Sequence, residues 1–105
     1  MNKHFELLNN LKNNTFVDSD ILEYPNIYVI ETSLIILKFF SIKNYNLSTL
    51  NISIDGTIIF EFFIKDKYHC IEVFNENIIV FNFNNKYKEI ELNNLIIKLH
   101  KLYEK

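Results

Sequence analysis

Glu61 and Glu72 come closest to reactive chemistry in this sequence. The runs around them alternate like strands. Joined by a turn at Lys65-Asp66-Lys67, those strands place both carboxylates on one side of the sheet. Carboxylates brought together shift each other's pKa, which is how paired acids divide into a general acid and a general base. No nucleophile, phosphate loop or metal-ligand spacing accompanies them, so a solvated pair is the plainer reading and no catalytic residue is assigned. A less demanding use is electrostatic complementarity to a basic partner, as in an inhibitor that masks a cationic nuclease or toxin.

The other chemically capable side chains are dispersed. His4, His69 and His100 fall on three separate elements without the i, i+4 spacing that sets two imidazoles on one helical face, so neither a metal site nor a cofactor is expected. His69 and Cys70 are neighbours on a strand and should point to opposite faces, which disfavours a nucleophile-base pair and leaves Cys70 as a small packed residue. One cysteine rules out an internal disulfide framework, and one glycine rules out the glycine-rich phosphate loops.

Hydrophobic spacing defines the elements that must position these residues. From about Lys3 to Lys12, Phe5, Leu8 and Leu11 share a helical face with Leu7 beside them, and Asn13-Asn14 ends the helix. Thr15 to Asn26 reads as a loop, with Pro25 suited to the first turn of the next helix. Ile27 to Lys43 has β-branched residues that favour a strand, but its length without Gly or Pro favours a helix, and the helix is preferred. On it Glu31, Lys38 and Ser41 cluster on one side while apolar residues take most of the remaining circumference, which predicts burial on several sides.

From Thr49 onward short runs are punctuated by turn residues, most clearly at Ile54-Asp55-Gly56. A two-residue Asp55-Gly56 turn would set Ile58 against Ser53, whereas a three-residue Ile54-Asp55-Gly56 loop sets Ile58 against Ile52 and Phe60 against Leu50. The second register matches the apolar sides and predicts Gly56 in the left-handed conformation at a bulge. Runs at Thr57 to Ile64, Tyr68 to Phe74 and Ile78 to Phe83 complete a four-stranded antiparallel meander. A final helix has Asn93 or Asn94 as its cap and Leu95, Ile96, Leu99, Leu102 and Tyr103 as its apolar stripe. The order ααββββα predicts one α+β domain over residues 1–105.

Composition narrows the partners. Eleven lysines stand against thirteen acids with no arginine, for a net charge of -2, so no nucleic-acid partner is expected. Glu31, Lys38 and Lys43 interrupt the longest apolar helix, so no membrane partner is expected either. The segment beginning Asn2-Lys3-His4-Phe5 lacks the apolar core of an export signal, and the single thiol suits a reducing compartment, which makes a cytoplasmic location the expectation. Ile, Asn, Lys, Phe and Tyr together exceed half the chain. All five have AT-rich codons, and the Asn-Asn pairs and many lysines are therefore discounted as functional signals.

The stretch Ile52-Ser53-Ile54-Asp55-Gly56-Thr57-Ile58-Ile59-Phe60-Glu61-Phe62, followed by Cys70-Ile71-Glu72-Val73, resembles a widespread group of small uncharacterised bacterial proteins. Members carry a DGxIxLEW strand and then an xIEI strand after two N-terminal helices, and Phe62 stands here where the group has Trp. The resemblance implies the same architecture and a non-enzymatic accessory role of the toxin-antitoxin or defence kind.

On the meander, Ile58, Phe60, Phe62 and Ile64 share one face with Ile71 and Val73, the natural side for the helices. The other face receives Ile59, Glu61, Phe63, Cys70, Glu72 and Phe74, joined by Ile78 and Val80 if the third turn keeps Ile79 and Phe81 inward. A solvated face would alternate to polar residues more cleanly, so either the helix over 27–43 forms a third layer there or another chain covers it. In the second case Ile59, Glu61, Phe63, Glu72, Phe74, Ile78 and Val80 form a protein-binding surface. The expected function is a small non-catalytic protein-protein interaction module, most concretely an antitoxin, immunity-like or defence-associated accessory protein. The alternatives are a homodimeric scaffold that pairs these sheet faces and a small enzyme that uses Glu61 and Glu72.

Overall fold

In a computed structural model describing residues 2–16 and 18–104, the first helix, α1, spans Asn2–Lys12 and ends where Asn14 turns to a positive φ of 58°. The second helix, α2, spans Ile27–Lys43. It starts at Asn26, whose side chain accepts the Val29 N–H, and stops at Asn44 in the left-handed conformation. Pro25 therefore precedes the cap instead of entering the first helical turn, because the Asn26 side chain supplies the stronger start.

The strands are β1 (Thr49–Ile52), β2 (Ile58–Ile64), β3 (Lys67–Val73), β4 (Ile79–Phe83) and β5 (Lys86–Glu89), with a 3-10 turn at Asn75–Asn77 and a closing helix, α3, at Leu92–Tyr103. They form one antiparallel sheet in the order β1-β2-β3-β4-β5. The α+β class holds, but the sheet has five strands where four were expected. The added strand, Lys86-Tyr87-Lys88-Glu89, is exposed along its whole length and has no apolar alternation to betray it. Its turn is made by Asn84-Asn85, both at positive φ, and Lys65-Asp66 makes the same kind of two-residue turn between β2 and β3. The start of α3 is also corrected. Glu91 occupies the cap position without a side-chain bond, while Asn93 and Asn94 lie within the helix.

The β1-β2 hairpin takes the three-residue loop, pairing Ile52 with Ile58 and Leu50 with Phe60, and Gly56 has a φ of 85°. This register puts Leu50, Ile58, Phe60, Phe62, Ile64, Ile71, Val73, Ile79 and Phe81 on one buried face. Phe40 of α2 packs on that face, with its ring 5.2 Å from Phe62 and 6.5 Å from Phe60, and Tyr103 of α3 meets the Phe40 and Phe62 rings. Helix α2 thus lies on the inner side of the sheet and forms no third layer on the outer side. The sheet, α1 and α3 bury it on several sides, as expected, while its far side stands exposed. Leu8 and Leu11 bury α1 in the same core.

A titratable side chain lies within this core. His69 is buried, stacks on Phe83 at 5.2 Å and leaves its Nδ1 without a hydrogen-bond partner. Burial holds its pKa below the ordinary 6.5, with the Asn82 backbone partly offsetting the effect. As pH falls below about 6.5 the unfolded chain takes up this proton before the native one does, so native stability declines. His69→Phe is expected to flatten the fall in Tm between neutral pH and roughly pH 5. Equal slopes for the variant and the original chain would show that this imidazole is not the buried titrating group.

Candidate functional site

The outer face is ordered in cross-strand rows. One row runs Asn51, Ile59, Glu72, Val80 and Glu89, and the next runs Thr49, Glu61, Cys70, Asn82 and Tyr87. Phe63 and Tyr68 begin a third. Phe74 and Ile78 extend the β3-β4 pairing by one step, with the Phe74 N–H donating to the Ile78 carbonyl at 2.8 Å. The register therefore gathers all seven expected surface residues, Ile59, Glu61, Phe63, Glu72, Phe74, Ile78 and Val80, on or beside one face. Phe63 is 53% exposed and meets Tyr68, 45% exposed, edge to face at 5.7 Å. Ile59, Phe74 and Val80 are half-buried.

The carboxylates are held separately. Glu61 accepts the Thr49 hydroxyl at 2.6 Å and the Tyr68 hydroxyl at 2.5 Å, with the Asn51 amide at 3.5 Å. The Thr49 and Tyr68 bonds, in that order, keep its pKa below the ordinary carboxylate value, and the same contact raises the Tyr68 phenol. Glu72 accepts the Thr57 hydroxyl at 2.6 Å. That hydroxyl also lies 2.7 Å from the Ser53 hydroxyl, which accepts the Asp55 and Thr57 N–H groups at the hairpin tip. A pair of carboxyls sharing a proton would raise one pKa strongly, whereas Glu61 is fixed as an anion by hydroxyl donors. This arrangement suits charge recognition better than proton transfer.

His69 and Cys70 point to opposite faces, and burial pushes the Cys70 thiol above its ordinary pKa, away from a reactive thiolate. Among the described residues no group of three or more His, Cys, Asp or Glu could hold a metal ion, and no helix is long and apolar enough to cross a membrane.

Several outer-face residues escape the sequence reading. Tyr87 was hidden because β5 was hidden, whereas Tyr68 carried a usable signal, since it shares the parity of Cys70 and Glu72. A second feature lies on the helix side, where a cleft of about 770 Å³ between β5 and α3 brings Lys86 and Lys88 beside Lys98 and Lys101 over Phe81 and Phe83. The Lys98 ammonium sits 4.9 Å from the Phe83 ring centre, a cation-π contact. Lysines along a free edge strand also discourage a further strand from adding there.

Comparison of the chain with protein-family models, curated proteins and solved structures finds no match.

Proposed function

We propose that the protein is a small non-catalytic interaction module that docks a basic partner protein on its outer sheet face. The observation that carries this reading is the sidedness of the fold. α2 and α3 pack on the inner face, and the outer one is left with exposed Phe63 and Tyr68 beside carboxylates fixed by hydroxyl groups. Aromatic side chains with a polar surround are the usual composition of a binding patch, and side chains already held in place lose little freedom on association. Glu61 and Glu72 would meet the partner's cationic groups, while Phe63 supplies the apolar anchor. An antitoxin, immunity-like or defence-associated accessory protein is the most concrete form of such a module, and the strand motifs support it.

Tagged protein recovered from its native host tests the reading. The original chain is expected to capture a protein with a basic surface, and Phe63→Asp and Glu61→Lys should each reduce capture by roughly tenfold or more while the circular dichroism stays unchanged. Capture that survives Phe63→Asp would place the contact elsewhere.

A further inference from the structure

We infer that two copies of this chain pair through the outward side of α2, antiparallel, about a two-fold axis at Ile35. A helix whose apolar residues take most of its circumference belongs in a largely buried position. Yet α2 buries only Val29, Ile30, Ser33, Ile36, Leu37 and Phe40, and its other half faces outward. The exposed apolar side chains there, Tyr28 (60%), Ile35 (50%) and Ile42 (73%), recur every seventh residue, the spacing with which one helix presents a straight seam to another.

The charges beside the seam select a second copy as the occupant. At 100° per residue, Glu31 and Lys38 lie roughly 40° and 60° from Ile35, both on the same side of the seam. A two-fold axis perpendicular to the helix keeps that side in common and reverses chain direction, so residues equally far before and after Ile35 meet. Tyr28 then packs on the partner's Ile42, and Ile35 packs on the partner's Ile35. Glu31 comes within one residue, about 1.5 Å along the axis, of the position opposite the partner's Lys38, and the contact occurs twice. Thr32 and Phe39 close the other rim. A parallel pair would instead place Glu31 and Lys38 on the rim opposite the partner's Glu31 and Lys38, where they face Thr32 and Phe39 and make no charge pair. One such helix pair is small beside the roughly 1,200 Å² of a stable complex, so the dimer forms at micromolar concentrations and above. The outer sheet face takes no part in it and would be displayed twice, a gain in avidity for any partner with two sites.

Sedimentation equilibrium from micromolar to submillimolar protein tests the pairing. Mass should rise toward the dimer with concentration, and Ile35→Lys, which keeps a good helix former, should remain a monomer. Glu31→Lys and Lys38→Glu alone should each weaken association by roughly tenfold, because each creates like-charge contacts twice, and the double variant should restore it. Phe63→Asp should dimerise as the original chain does, which separates this pairing from binding at the sheet. A monomer at every concentration, a double variant no better than the singles, or association lost in Phe63→Asp but kept in Ile35→Lys would each overturn it.

Discussion

Phe40→Ala is expected to cost about 4 kcal/mol of stability, a fall in Tm on the order of 20 °C for a domain of this size. The Phe40 ring is fully buried and meets Phe60 and Phe62 of the sheet, Tyr103 of α3, and Phe39 and Tyr45 at the end of α2. Its removal leaves a cavity where the helices and the sheet meet, and rings packed from several sides cannot all move in to close it. Domains of this kind are stable by about 5–15 kcal/mol, so the variant should be close to unfolding at physiological temperature. Urea and thermal denaturation measure the loss. A loss below about 1 kcal/mol would mean that α2 is not seated on the inner face.

The second large effect is expected at Gly56→Ala, a loss of about 3 kcal/mol. Two causes combine. The φ of 85° is strained for any residue with a Cβ, and that Cβ would stand 2.8 Å from the Glu23 carbonyl oxygen and 3.2 Å from the Tyr24 carbonyl carbon. Neither neighbour is a side-chain end that can swing aside. The segment before α2 is tied here because the Leu22 and Glu23 N–H groups both donate to the Ile54 carbonyl. Amide exchange at Leu22 and Glu23 should therefore quicken in the variant. Gly56→Asn separates the two causes: Asn tolerates a positive φ but carries the same Cβ, so it should recover only a small part of the loss. Full recovery by Asn would assign the whole effect to backbone strain.

The outer face was legible in the sequence because one register decision propagates. Once Gly56 set Ile58 opposite Ile52, the two-residue period of each strand placed Ile59, Glu61 and Phe63 outward, and short turns carried that parity into Glu72 and Val80. The hairpin could be chosen because only one of its registers matched apolar with apolar. β5 offered no such choice, since Lys86-Tyr87-Lys88-Glu89 is polar on both sides, and with it went Tyr87 and the lysine cleft. The position of α2 was hidden for the opposite reason. Its polar sector of Glu31, Lys38 and Ser41 is narrow, and the Ile35 beside that sector is as apolar as the side that meets Phe62, so the pattern alone does not show how far the buried side extends. The asparagines, discounted as a codon effect, have a structural use. Asn14, Asn44, Asn77, Asn84 and Asn85 all take a positive φ, work that a chain with one glycine must give to the residue that tolerates it next best.

The most direct test of the docking surface is the affinity of the captured partner for the purified chain, measured by isothermal titration calorimetry beside Phe63→Asp and Ile35→Lys. Phe63→Asp is expected to bind at least roughly tenfold more weakly with its Tm nearly unchanged, while Ile35→Lys binds one partner per chain with the affinity of each site in the original chain. Equal affinity for Phe63→Asp and the original chain would contradict docking on the outer sheet face.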